Sequence, residues 1–142
     1  MKREIKKNKG FSLVELIIVI AIMVILGAII APQYFKHVNN AKKSSDIEQA
    51  ARISSAISAE YANEQAKGTT TSAFTTGAWT EVSKIPAVTG TVNNSKVEKD
   101  SLFYYYLSTD GDVQIGIAAK GATTVLDTHI IAPLNDKAAG WK

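Results

Sequence analysis

The stretch from Phe11 to Ala31, FSLVELIIVIAIMVILGAIIA, decides the fold of this chain. Its 21 residues contain one charge, at Glu15, and one hydroxyl, at Ser12. A helix of this length spans about 31 Å, which matches the hydrocarbon core of a bilayer, about 30 Å thick. A secretory signal peptide has a shorter apolar core of roughly 7–15 residues, followed by a cleavage site. The stretch therefore predicts a membrane-spanning helix.

Basic side chains flank this helix unequally. Five Lys or Arg residues lie in the first nine positions, with Glu4 as the one acid among them. Three lysines follow the apolar stretch, at Lys36, Lys42 and Lys43. Because the flank richer in Lys and Arg stays in the cytoplasm, we expect a cytoplasmic N-terminus and a C-terminal part outside the cytoplasm.

Glu15 is the unusual residue of the span. A carboxylate in the middle of a membrane helix costs about 2.5–3.5 kcal/mol and ordinarily has a partner. Glu15 lies four residues into the apolar run. One interpretation is that its side chain reaches the membrane interface, and the other is that it pairs with a positive charge on another chain.

Composition excludes several classes of protein. The 142 residues suit one domain, and the apolar share of 46% argues against a disordered chain. The absence of cysteine excludes disulfides, cysteine-bound zinc and thiol catalysis. The two histidines, His37 and His129, are too few for a histidine-built metal site, and we predict no enzyme activity and no cofactor.

An amphipathic helix continues beyond the span. Helix signals stop at Gly68, with Lys67 in the last turn, so one helix is predicted from Phe11 to about Ala66. Its apolar stripe recurs at steps of three and four residues and comprises Ile47, Ala50, Ser54, Ile57 and Tyr61. Asp46 is assigned to the polar face.

The C-terminal part is rich in β-forming residues. Strands are predicted at residues 102–107 and 113–119, joined by a hairpin turn at Asp110-Gly111, with a third at 124–131. A short helical turn is predicted at 78–84. The face expected to cover the helix comprises Leu102, Tyr104, Tyr106, Val113, Ile115 and Ile117. The fold class is therefore α+β, with one very long N-terminal helix packed against a small antiparallel sheet.

The string from Lys9 to Glu15, KGFSLVE, followed by LIIVIAI, resembles the prepilin processing site of type IV pilins and pseudopilins. The resemblance is close from about Lys6 to Pro32 and rests on a basic leader, Gly, Phe, a Glu four residues later and an apolar helix. It implies that a prepilin peptidase cleaves after Gly10. It also implies that Phe11 becomes an N-methylated terminus, and that Glu15 pairs with the Phe11 amine of an adjacent subunit.

The same resemblance implies an organisation and a function. Residues 1–10 would be a cleaved basic leader, 11–32 a membrane and assembly helix, and 33–142 a globular pilin head. Within that head, 33–66 would be the amphipathic half of the helix, 67–100 a loop and 101–142 the sheet. The chain would be a subunit of a type IV pilus, a homo-oligomeric filament that also contains other pilins and is built by an inner-membrane assembly platform.

Two alternatives stay open: a pseudopilin of type II secretion or DNA uptake, and a membrane-anchored binding domain without a polymer. In the assembly interpretations the subunit waits in the membrane with its N-terminus in the cytoplasm and then enters an extracellular filament. The basic leader accounts for the formal charge of +3, since removing residues 1–10 leaves 11 basic and 12 acidic residues. The mature chain consequently shows no sign of nucleic-acid binding.

Gly27 and Pro32 mark a weak part of the helix. Proline removes a backbone donor and frees the carbonyl of Ala28, and glycine weakens the helix further. Pilins also place a helix breaker at this position. We predict partial melting between Gly27 and Pro32 on assembly.

Asp110 and Asp112 are weak metal candidates, since they flank Gly111 and some pseudopilins hold calcium in a C-terminal loop. Calcium takes six to eight oxygen ligands, whereas two acids in a hairpin turn are better explained by turn chemistry, so we predict no metal site.

Overall fold

The structure is a computed structural model and describes residues 11–68, 74–85, 88, 94–133, 138 and 141. Helix α1 runs from Leu13–Ala66, and the four strands are β1 (Trp79–Glu81), β2 (Ser101–Leu107), β3 (Val113–Ala119) and β4 (Ile130–Ala132). They form one antiparallel sheet in the order β1-β2-β3-β4. The expected α+β class, a long N-terminal helix with a small antiparallel sheet, is confirmed.

The chain divides into two compact units, one ending at Val38 and the other beginning at Asn39. Both contain part of α1, which is helical throughout and includes Gly27 and Pro32. The C-terminus of α1 is capped by a glycine. The Gly68 N–H donates to the Gln65 carbonyl at 3.2 Å, and Gly68 has a positive φ of 64°, where glycine carries no steric penalty.

The core of the second unit lies between α1 and one face of the sheet. Ala50, Ile53 and Ile57 of the helix are buried in the same cluster as β2 and β3. The strand register pairs Phe103 with Ile117, Tyr105 with Ile115 and Leu107 with Val113, so these six side chains share the core face.

The predicted face of β2 was therefore wrong. Leu102, Tyr104 and Tyr106 point away from the helix, and Tyr104 is buried on the outer face against Val125 and Ile130. Both faces of β2 carry large apolar residues, so alternation along the strand does not distinguish the two sides. The prediction for Val113, Ile115 and Ile117 of β3 is confirmed.

Two other predictions need correction. The residues from 78 to 84 were expected to form a helical turn, but Trp79–Glu81 pair with β2 as a strand and only Val82–Lys84 form a 3-10 turn. The third strand was expected at 124–131, but β4 contains only Ile130–Ala132 and follows a 3-10 turn at Asp127–His129. These short strands depend on pairing with a neighbour more than on their own composition.

Candidate functional site

The N-terminal part of α1 is an exposed apolar surface. Every residue from Phe11 to His37 is exposed, including Leu16, Ile20 and Met23, which are types normally found in cores. Within the described residues, α1 is the one helix long and apolar enough to cross a membrane, and none of its apolar stretch is buried. This exposure separates it from the core helix of a soluble protein. An apolar surface of this size indicates a site for lipid or protein contact.

Glu15 has a local partner at the start of this surface. Its Oε2 accepts a 2.9 Å hydrogen bond from the backbone N–H of Ser12, the residue preceding α1. This is one half of a capping box, in which the acid of the first turn satisfies a backbone donor that the helix leaves free. Negative charge is also favoured at a helix N-terminus. The sequence motif Ser-x-x-Glu carries this signal, but the two sequence-based interpretations of Glu15 place it at the membrane interface or beside a cation and do not include a helix cap.

The other predicted assembly residues lie along the same helix. Phe11 is 78% exposed and precedes the cap, while Gly27 and Pro32 lie inside the continuous helix. A Cβ placed at Gly27 would meet no atom within 4 Å, so the glycine is not required for close packing within the subunit. Gly10 and the rest of the predicted leader lie outside the described residues.

Asp110 and Asp112 occupy the turn between β2 and β3. The backbone N–H groups of both residues donate to the Ser108 hydroxyl at 3.2 Å, and the Ser108 N–H donates to the Asp112 carbonyl at 2.9 Å. Gly111 has a φ of 92°, which this tight turn requires. Among the residues that the structure describes, no group of three or more His, Asp or Glu side chains is placed to hold a metal ion.

The two histidines and Tyr105 differ in their surroundings. The Nε2 of His129 lies 2.9 Å from Glu98 Oε1, and both side chains are about one-third exposed. His37 is exposed on α1. Tyr105 is buried in the core, packs edge-on against Phe74 and accepts a 3.2 Å hydrogen bond from the Thr75 N–H.

Comparison with known proteins points to the N-terminal segment. The family model described as "Prokaryotic N-terminal methylation motif" matches residues 5–31. A curated protein of Neisseria gonorrhoeae, "Type IV major pilin protein PilE", is 35% identical to the chain over 102 residues. That match covers 66% of this chain and 61% of the gonococcal protein, so it spans less than two thirds of the relative. No solved structure matches the chain.

Proposed function

We propose that this chain belongs to the type IV pilin family, is the structural subunit of an extracellular pilus filament and is made as a membrane-anchored precursor. Its role is architectural, with no catalysis of its own. The observation that carries the proposal is the fully exposed apolar segment from Phe11 to Ala31, interrupted only by Ser12 and Glu15. Such a segment is stable in lipid before assembly and in a bundle of identical helices afterwards.

The processing step supplies a positive charge that can pair with the Glu15 carboxylate. Hydrolysis of the bond between Gly10 and Phe11 by a prepilin peptidase consumes one water and leaves a carboxylate on Gly10 and an ammonium on Phe11. Methylation of that amine keeps its positive charge. The new cation lies four residues from Glu15, and in a helical array it meets the Glu15 of a neighbouring subunit.

Electrostatic attraction favours the ion pair between the Phe11 ammonium and the neighbouring Glu15 inside the filament. Two opposite charges in a medium of low dielectric constant attract strongly, and either one left alone there carries a large desolvation penalty. In the single subunit the Glu15 carboxylate accepts one hydrogen bond, from the Ser12 N–H, which does not neutralise its negative charge. We infer that an inner-membrane assembly platform then moves the subunit from lipid into the fibre.

The N-terminus of the fibre subunit provides the first test. We expect mass spectrometry of purified surface fibres to find a subunit that begins at N-methylated Phe11. A subunit that begins at Lys2 or Arg3 would contradict the proposal. Electron microscopy of a deletion strain then separates pilus from pseudopilus, since only loss of a major pilin removes long extracellular fibres.

Glu15 variants separate charge pairing from helix capping. Glu15→Gln keeps an oxygen that can accept the Ser12 N–H but removes the charge, whereas Glu15→Ala removes both. We expect both variants to insert in the membrane and both to lose incorporation into fibres. Incorporation of the Gln variant at the wild-type level would show that capping alone suffices. If the Ala variant also keeps surface display and function, the chain is an anchored binding domain without a polymer.

A further inference from the structure

Two aromatic side chains lie together where the apolar segment ends. Tyr34 and Phe35 are 62% and 64% exposed, and their ring centroids are 6.0 Å apart at an interplanar angle of 67°. This is an edge-to-face pair on the outside of a helix. An exposed tyrosine beside a membrane span is typical of the boundary between hydrocarbon and lipid headgroups, where its ring is in apolar surroundings and its hydroxyl in polar ones.

The position of the pair along α1 fits the far boundary of the membrane. Twenty residues separate Glu15 from Phe35, and α1 is continuous between them. At 1.5 Å per residue this is about 30 Å, the thickness of the hydrocarbon core. When Glu15 lies at the cytoplasmic interface, Tyr34 and Phe35 therefore lie at the outer one.

The positive charge of Lys36, which follows the two rings, is complementary to the phosphate of lipid headgroups. Lys36 and His37 come directly after the pair, and both are exposed. Between Glu15 and Asp46 the sequence contains no acid that could neutralise Lys36. A lysine at this level reaches phosphate groups with its ammonium while its aliphatic stem lies along the apolar side.

We propose that Tyr34, Phe35, Lys36 and His37 form an interfacial anchor that holds the unassembled subunit at a fixed depth in the outer leaflet. The partner is the phospholipid headgroup layer: the two rings lie at its boundary with the acyl chains and Lys36 contacts lipid phosphate. The proposal rests on the proposed function, because it requires that the exposed apolar part of α1 spans the membrane.

The test measures the depth of the helix in vesicles. The chain has no cysteine, so a single Gln33→Cys or Ala28→Cys change gives one attachment point for a spin label. The full chain is reconstituted in vesicles of phosphatidylethanolamine with phosphatidylglycerol. The depth of each label follows from its accessibility to oxygen, which partitions into hydrocarbon, relative to a water-soluble nickel complex.

We expect the helix to lie deeper in the membrane when the aromatic rings are replaced by leucine. Leucine favours the hydrocarbon, so the Tyr34→Leu, Phe35→Leu double variant should draw the label at position 33 deeper by about 3–5 Å, two to three residues of helical rise. The matched control is the Ile29→Leu, Ile30→Leu double variant, which exchanges two equally exposed apolar residues inside the span and should leave the label in place. Lys36→Gln should deepen the label more in these anionic vesicles than in phosphatidylcholine vesicles, where choline balances the charge of each phosphate.

Three results would overturn the anchor. An unchanged depth in the Tyr34 and Phe35 variant would show that the rings do not set the position of the helix. A label at position 33 that is shielded from oxygen and nickel alike would show that a second copy of the chain covers the rings. A label at position 28 that the nickel complex reaches freely would show that the segment does not span the membrane, and the proposed function would fail with the anchor.

Discussion

The hydroxyl of Ser95 donates a 2.7 Å hydrogen bond to the carboxylate of Asp46, which lies 49 residues earlier in the chain. The same carboxylate accepts the backbone N–H groups of Lys96, at 2.9 Å, and Val97, at 3.2 Å. Asp46 is fully buried, contrary to its predicted place on the polar face of the helix. These hydrogen bonds connect α1 to the segment that leads into β2, and they supply the buried Asp46 carboxylate with the donors that a buried acceptor requires.

Replacing Asp46 by alanine should destabilise the second unit. The change removes the acceptor of the Ser95 hydroxyl and of the Lys96 N–H and leaves the Val97 N–H bonded to the Ser95 hydroxyl alone. We expect a loss of about 2–3 kcal/mol in the free energy of unfolding. Urea denaturation of the full chain in detergent, followed by the fluorescence of Trp79 and Trp141, measures it. The control is Glu48→Ala, an exposed acid paired with Arg52, for which we expect at most about 0.5 kcal/mol. Equal losses for the two variants would contradict this role of Asp46.

Tyr104 should stabilise the turn after β3 through its hydroxyl. That hydroxyl donates to the Ala119 carbonyl at 3.0 Å and accepts the N–H groups of Gly121 and Ala122 at 2.9 and 3.1 Å. We expect Tyr104→Phe to cost about 1–3 kcal/mol and to speed hydrogen exchange, measured by NMR, most at the Gly121 amide, because the Ala122 N–H also donates to the Ala119 carbonyl at 3.0 Å. Tyr106→Phe is the control, because Tyr106 is only half-buried and the variant keeps its ring against Trp79. Unchanged exchange at both amides would contradict the prediction.

Gly116 should be required for the close approach of Val125 to the sheet. A Cβ at position 116 would lie 2.5 Å from Val125 Cγ1, well inside contact distance. We expect Gly116→Ala to cost about 1–3 kcal/mol, since the segment around Val125 must move from the outer face of β3. Urea denaturation measures the loss, and the Gly116→Ala, Val125→Ala double variant tests its cause. If the clash is the cause, the two losses are less than additive.

Gly27 and Pro32 should matter for assembly and not for the isolated subunit. Alanine at both positions favours the helix, by about 1 kcal/mol at glycine and about 3 kcal/mol at proline. If the segment between them melts on assembly, the double variant should keep its helicity by circular dichroism and lose most of its fibre yield. Ile29→Leu is the control within the same segment. Fibres at the wild-type yield, with continuous i→i−4 hydrogen bonds from Gly27 to Pro32 in a filament map, would contradict the prediction.

The long helix and the class of the fold could be predicted because their signals are local. The apolar run from Phe11 to Ala31 and the three- and four-residue spacing beyond it depend only on residues close in sequence. The helix end at Ala66 and the strand at 113–119 were predicted for the same reason, from Gly68 and from the Asp110-Gly111 turn.

The inward face of β2, the short strand β1 and the burial of Asp46 were decided by tertiary structure. Tyr104 and Tyr105 are both buried, one against Val125 and the other against the helix, because the segment after β3 covers the outer face of the sheet. Asp46 can be buried only because Ser95, Lys96 and Val97 supply donors from far along the chain. Periodicity carries no information about a partner 49 residues away. Local sequence signals therefore determined the long helix and the β2–β3 hairpin, whereas packing between distant residues determined the short strands and which faces lie inside.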